Sequence, residues 1–215
     1  MSKYDVAIFD LDGTIACSAS GIYSGIRYAV EKMGLIYKRE HESDVIGPSL
    51  YYTFEAYYGL SKQDATKAVE IYREYYNKIG YKEFYLYEGI EQCLLALKEN
   101  GVKLAIATTK NNACALKMMR YAQLEPLFDY IIGSNADGSR TDKKELIENV
   151  ITHFALSQQR YVMIGDRAFD GEGASACGVD FIWASYGFGT AEEINALKPI
   201  YIARKALSIK KFILE

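Results

Sequence analysis

Asp5-Val6-Ala7-Ile8-Phe9-Asp10-Leu11-Asp12-Gly13-Thr14 reads as a short buried strand that ends on two carboxylates. A near-continuous apolar run such as Val6–Phe9 suits a parallel strand covered on both faces. Asp10 and Asp12 stand at i and i+2 at its mouth. Like charges so close repel, so a cation or a shared proton is needed. Gly13 lets the chain turn sharply there. Taken alone, these residues are explained equally well by an ordinary turn rich in Asp and Gly. A calcium loop of the EF-hand kind is excluded, because Thr14 and Ile15 stand where further oxygen ligands and a glycine are required.

Outward from this stretch the same apolar runs recur. Lys103–Ala107, Tyr130–Ile132, Tyr161–Ile164, Asp180–Trp183 and Ile200–Ile202 are expected as further strands. Helical periodicity lies between them. Ile90, Cys93, Leu94 and Leu97 share one face, and Gly101 follows as a stop. Asp142 and Glu145 have capping-box spacing ahead of Leu146, Ile147 and Val150. Thr190 and Glu193 repeat that signal, with Pro199 closing the segment. Alternation of strand and helix predicts an α/β fold, a Rossmann-like three-layer parallel sheet with right-handed crossovers. Residues 15–84 break the rhythm. They hold no good strand. Ile22, Ile26, Ala29, Val30 and Met33 mark one amphipathic helix. Ala65, Ala68, Val69, Tyr72, Tyr75, Tyr76 and Ile79 mark another, with Ser61 as its N-cap. The expected organisation is an α/β core of residues 1–14 and 85–215, with an all-helical cap of residues 15–84 inserted after the first strand, where a lid would sit.

Composition narrows the function. The chain has 215 residues and a formal net charge of -3, with a pI near 5.6. It lacks the basic excess of a nucleic-acid binder, so no nucleic-acid polymer is expected as a partner. No apolar stretch reaches the ~20 residues of a membrane span, and no membrane partner is expected. Met1–Phe9 has one lysine and no signal-peptide pattern, which points to the cytoplasm. Cys17, Cys93, Cys114 and Cys177 form no C-x-x-C pair, so they are read as reduced thiols rather than zinc ligands.

In an open α/β sheet, ligands bind outside the carboxyl ends of the strands. The expected second strand ends in Thr108-Thr109-Lys110, which offers hydroxyls and backbone amides. Asp142-Lys143-Lys144 opens the helix after the third strand. The fourth strand ends in Gly165-Asp166-Arg167-Ala168-Phe169-Asp170, a second acidic pair. Acids gathered on one rim suit Mg²⁺, a hard cation that prefers oxygen ligands. Asp10-x-Asp12-Gly13-Thr14, Thr108, Lys143 and Gly165-Asp166-x-x-x-Asp170, in this order across the whole chain, resemble the haloacid dehalogenase superfamily. The likeness is to its phosphoglycolate-phosphatase-like branch with a helical cap. The run Asp137–Lys143 also resembles a subgroup named for phosphoglycolate phosphatases or 5'-nucleotidases.

That resemblance implies a phosphatase for a small phosphorylated metabolite. Asp10 would attack phosphorus, and Asp12 would protonate the leaving oxygen and then activate water. Asp10, Asp12 through its backbone carbonyl, Asp166 and Asp170 would form the Mg²⁺ site, Asp170 acting near the metal. Thr108 and Lys143 would hold the phosphoryl group, with Thr109 and the cap residue Gly47 as further substrate contacts. Lys144 competes with Lys143 for the phosphate-binding role. Lys110 is read as a solvated lysine. Arg140 is either a surface residue or an orienter of the lysine loop. His41 is read as solvated and His153 as structural. The ten tyrosines Tyr51, Tyr52, Tyr57, Tyr58, Tyr72, Tyr75, Tyr76, Tyr81, Tyr85 and Tyr87 are assigned to the cap, where they either fill its core and interface or, for one or two of them, stack on a nucleobase or other ring of the substrate. Gly47-Pro48-Ser49 is either a loop facing the site or the start of a helix. A phosphomutase of the same fold and a non-catalytic scaffold stand as alternatives. A dehalogenase is disfavoured by Asp12, Asp166 and Asp170. Phosphoglycolate, a nucleoside 5'-monophosphate, a sugar phosphate and pyrophosphate all stay open as substrates. A monomer or weak dimer is expected.

Overall fold

The computed structural model describes residues 2–155, 160–194 and 197–215. The chain forms two compact units, Met1–Cys17 with Leu86–Glu215 and, between them in sequence, Ser18–Tyr85. The main sheet of the first unit has six strands: β1 (Val6–Phe9), β2 (Lys103–Asn111), β3 (Tyr130–Ser134), β4 (Tyr161–Gly165), β5 (Asp180–Ala184) and β6 (Tyr201–Ala203). Helices α1 (Ala19–Lys32), α2 (Leu50–Tyr58) and α3 (Lys62–Lys78) belong to the second unit. Helices α4 (Ile90–Glu99), α5 (Asn112–Tyr121), α6 (Lys143–Phe154), α7 (Ala168–Ala176), α8 (Ala191–Ile194) and α9 (Ala206–Leu214) belong to the first.

The sheet order is β3-β2-β1-β4-β5-β6, and every pairing is parallel. This is the expected Rossmann-like α/β fold. The strand order reverses at β1, so the crevice beyond its carboxyl end is the topological switch point where such sheets bind ligands. Alternation along β1 sends Val6 and Ile8 to one face. There they pack with Ala105, Ala107, Met163 and Phe181, under Leu146, Ile147 and Val150 of α6 and Ala174 of α7. Asp10, two residues after Ile8, shares the side of the sheet that α6 covers.

Each expected strand forms, and β2 runs four residues further than the apolar run that announced it. The extension carries an irregularity. Thr108 pairs with Gly133 and Asn111 with Ser134, so Thr109 and Lys110 are extra residues against β3. Such bulges re-aim side chains beside functional sites. Gly133 makes room for it, since a Cβ there would collide with the Lys110 carbonyl.

In the second unit, α1 buries Ile22, Ile26, Ala29 and Val30, and α3 buries Ala65, Ala68, Val69, Tyr72 and Tyr76. Ser61 caps α3 by accepting the Asp64 N–H. Tyr72 and Tyr76 stack with centroids 5.3 Å apart. Pro48 and Ser49 prove to be the start of a helix, with Ser49 accepting the Tyr52 N–H at the N-terminus of α2. Tyr87, grouped above with the cap tyrosines, belongs instead to the first unit, where its ring meets Tyr186 edge-on at 4.8 Å. His41 is not simply solvated: its ring lies tilted against Tyr57, with centroids 4.6 Å apart, and 3.5 Å from Asp44. His153 stacks on Tyr130 at 3.9 Å. No helix among the described residues is long and apolar enough to cross a membrane.

Candidate active site

Asp10 follows directly on β1 and is buried, its N–H donating to the Ile164 carbonyl at 2.8 Å. Lys143, the first residue of α6, reaches down onto it. The Lys143 Nζ donates to Asp10 Oδ1 at 2.6 Å and to the Ala107 carbonyl at 2.9 Å. It also lies 2.8 Å from Asp170 Oδ1. A lysine is unfavourable in the first turn of a helix, and these two carboxylates offset that. Burial opposes the charge on Lys143, and the Asp10 and Asp170 charges overcome it, so its pKa is raised. α7 can approach the lysine stem because residue 173 is glycine, where a Cβ would come within 2.9 Å of Lys143 Cγ. Of the two candidate lysines, Lys143 is the one the fold places at Asp10. Lys144 is exposed, 3.6 Å from Glu148.

Asp166 and Asp170 come from the loop after β4 and the first turn of α7. Asp170 Oδ2 accepts the Arg167 N–H at 3.1 Å. Asp166 Oδ2 accepts the Phe188 N–H at 2.8 Å, and its Oδ1 accepts from the Thr14 hydroxyl at 3.3 Å. The Trp183 indole donates to the Asp166 carbonyl at 3.1 Å. Gly13, at φ +98°, is required here, since a Cβ on it would run into the Asp166 carboxylate.

Asp10, Asp166 and Asp170 each place one oxygen within 4.8 Å of the others. Three buried carboxylates share one lysine, so full ionisation would leave two negative charges without compensation. The proton affinities register the strain. Burial, with Asp170 adding to it and Lys143 opposing, pushes Asp10 up to about 7. Burial and the two neighbouring carboxylates push Asp166 well above the ordinary range. Asp170 Oδ1, though close to the Lys143 ammonium, makes no hydrogen bond among the described residues. An all-oxygen donor set with a charge deficit of this size fits a hard divalent cation such as Mg²⁺.

Asp12 is held differently. Its two carboxylate oxygens accept from Lys110 Nζ at 3.1 and 2.9 Å. The two side chains are only 14% and 8% exposed. The expectation of a solvated Lys110 is therefore corrected. The bulge in β2 turns this lysine inward, and the signal in the sequence was its place two residues after Thr108. The Asp12 carboxylate stands outside the three-acid group. Thr108 is buried, and its hydroxyl accepts the Lys110 N–H at 3.2 Å. Thr109 lies half-buried beside it. Arg140 braces the end of β3, donating from Nε to the Gly133 carbonyl at 2.9 Å. Gly47 lies in the second unit at φ +108°, two residues before the Ser49 cap.

One residue is more than its pattern announced. Glu193 forms the expected capping box with Thr190. Its Oε1 also accepts from Arg167 Nε at 2.8 Å and from the Ala168 N–H at 3.2 Å. These contacts tie the segment after β5 to the loop that carries Asp166 and Asp170. Burial works against its charge, but the hydrogen bonds from Arg167 and Ala168 hold its carboxyl below the usual range.

Comparison with known proteins agrees with this constellation. Residues 7–184 match the family of haloacid dehalogenase-like hydrolases. A 5'-nucleotidase of Pseudomonas aeruginosa is 34% identical over 213 residues, covering 97% of this chain and 95% of that protein. The tyrosine-protein kinase PtkA of Mycobacterium tuberculosis is 33% identical over 202 residues, covering 94% of this chain and 69% of that protein. Among solved structures, a Clostridium difficile protein described as a candidate phosphatase is 37% identical with a TM-score of 0.89, each chain covered in full.

Proposed function

Because the chain belongs to the haloacid dehalogenase-like hydrolases, as a phosphatase of that family, we propose that it hydrolyses small phosphate monoesters with Mg²⁺ by way of an aspartyl phosphate on Asp10. The observation that carries this reading is the unequal treatment of two carboxylates two residues apart. Asp10 is drawn into the three-acid group by Lys143 at 2.6 Å, while Asp12 is held outside it by Lys110. Different surroundings for two neighbouring acids are what a division into nucleophile and acid–base requires.

Asp10, Asp166 and Asp170, with the backbone carbonyl of Asp12, would hold the Mg²⁺, which supplies charge neutralisation for the phosphoryl oxygens. An Asp10 oxygen attacks phosphorus as the ester P–O bond breaks, and Asp12 gives its proton to the leaving oxygen. Water then attacks the same phosphorus and passes a proton to Asp12, and the bond to Asp10 breaks to free inorganic phosphate. Lys143 and Thr108 donate to the transferring group, and Thr109 stands next to them. Charge stabilisation of this kind dominates phosphoryl transfer, and covalent capture divides one hard step into two. The inserted helices begin just after Thr14 in the chain, which supports giving them the reading of the leaving group, Gly47 included. A phosphoglycolate- or nucleoside 5'-monophosphate-like ester in the cytoplasm is the substrate we favour, acted on by a monomer or weak dimer.

The test is phosphate release from a panel of monoesters, with Mg²⁺ and with chelator, for wild type and Asp10→Asn. Acid-quenched wild type should yield a phosphorylated peptide containing Asp10. Full turnover by a clean Asp10→Asn preparation would sink the nucleophile assignment.

A further inference from the structure

Lys110 has no part in the mechanism above, yet it is one of the most firmly held lysines of the first unit. Its ammonium contacts both oxygens of Asp12, at 2.9 and 3.1 Å, with the two side chains nearly sealed from water. It is turned there by the two extra residues of β2 and by the absence of a side chain at Gly133. Its own N–H is fixed on the Thr108 hydroxyl. One turn of backbone therefore sets both Thr108 and the partner of Asp12. A mostly buried ion pair is weak support for a fold, because desolvation cancels much of its attraction. What it supplies reliably is a single orientation, and a carboxylate gripped by both oxygens cannot swing into the three-acid group nearby.

We propose that Lys110 is a positioning residue for the chemical step, acting only through Asp12 by holding that carboxylate outside the metal-binding acids and facing the leaving oxygen. This rests on the reading of Asp12 as the group that gives the proton to that oxygen. The lysine itself takes no proton and makes no bond. Without it, Asp12 can rotate toward the cation or the neighbouring groups, and the leaving oxygen loses its donor.

The leaving group separates this role from a structural one. An alkyl phosphate needs a proton on its leaving oxygen, whereas p-nitrophenyl phosphate leaves as a stable anion. The ratio kcat/KM covers only the steps through departure of the leaving group, so the later activation of water does not enter it. With Mg²⁺ present, Lys110→Met should lower kcat/KM for glycerol phosphate on the order of 100-fold, in the range of acid–base contributions. It should lower the value for p-nitrophenyl phosphate by less than about 10-fold. Lys110→Arg, which keeps a charged donor, should restore the alkyl ester toward wild type, and thermal unfolding of both variants controls for folding. Asp12→Asn should show the same leaving-group selectivity, and the double variant should be no slower than Asp12→Asn alone. Equal losses on the two esters, or a double variant slowed by the product of the single effects, would overturn the role of Lys110 while leaving Asp12 intact. An Asp12→Asn enzyme that hydrolyses the alkyl ester at the wild-type rate would instead overturn the reading of Asp12, and the proposal with it.

Discussion

Asp10→Asn should do two things that rarely go together, removing turnover and stabilising the metal-free protein. In the absence of metal, Asp10 is buried among Asp170, Asp166 and Lys143, and burial first of all lifts its pKa from the ordinary 3.8 to about 7. An acid with raised proton affinity in the folded state favours folding at low pH. That contribution is lost as pH rises through the folded-state value. At about pH 8 the folded protein carries an ionised Asp10 at a cost of up to about 4 kcal/mol, on the rule of ~1.4 kcal/mol per pH unit. Asparagine keeps the shape and carries no charge, so the variant escapes this cost. For a chain of this size each kcal/mol moves the unfolding midpoint by ~2–4 °C, so the gain is bounded at ~8–16 °C. The assay is thermal unfolding in chelator from pH 5 to pH 8. The variant's advantage should grow across that interval. Added Mg²⁺ should shrink or reverse it, because wild type gains about 2.7 kcal/mol at 100-fold saturation and the variant has lost a ligand. A variant less stable than wild type in chelator at pH 8, or a difference that ignores pH, would refute the account of the acid cluster.

Three further outcomes are expected. Glu193→Ala removes the acceptor for Arg167 and Ala168 beside the Asp166–Asp170 loop, and should weaken Mg²⁺ binding by at least ~10-fold in titration calorimetry, as loss of a ligand-orienting contact does; wild-type affinity would remove its assigned bracing role. Gly13→Ala forces a side chain into φ +98° and toward Asp166. It should cost about 1–3 kcal/mol in urea unfolding and abolish metal binding, and a variant unchanged in both would show that the close approach is not needed. Burial pushes the Cys93 thiol up to about 12, so alkylation of the native protein near pH 8 should modify half-buried Cys17 first and leave Cys93 untouched until denaturant is added. The folded state should also lose the contribution of Cys93 as pH climbs from the unfolded thiol's value toward 12. Equal labelling of Cys17 and Cys93 without denaturant would contradict the burial argument.

Much of this molecule is local enough to be written in the order of residues. Val6–Phe9 had to be a covered parallel strand, because four apolar residues in a row fit no half-exposed edge. Asp142, Ser61 and Thr190 announce helix starts because a cap is a contact between residues two or three apart. Acids from two strand ends, Asp10 from one and Asp166 with Asp170 from the other, converge because parallel strands all present their carboxyl ends on one rim. The sequence was less informative where apolar periodicity is weak. α7, Ala168–Ala176, is built largely of small residues that pack closely without marking a stripe, and α2 is a nine-residue helix rich in tyrosine.

What tertiary structure alone decided are contacts across long stretches of chain. Lys143 and Lys144 are equivalent by type and neighbourhood, and only the rotation of α6 over the sheet aims one at Asp10 and the other at water. Lys110 looked like a surface lysine because nothing within a few residues could pair with it. Its partner lies 98 residues away, and a two-residue irregularity in strand pairing brings the two together. Glu193 showed its cap in the sequence but not its grip on Arg167, 26 residues earlier. A side chain's type and spacing determine what it can do chemically, whereas its partner depends on strand register and helix rotation, which follow from packing the whole core.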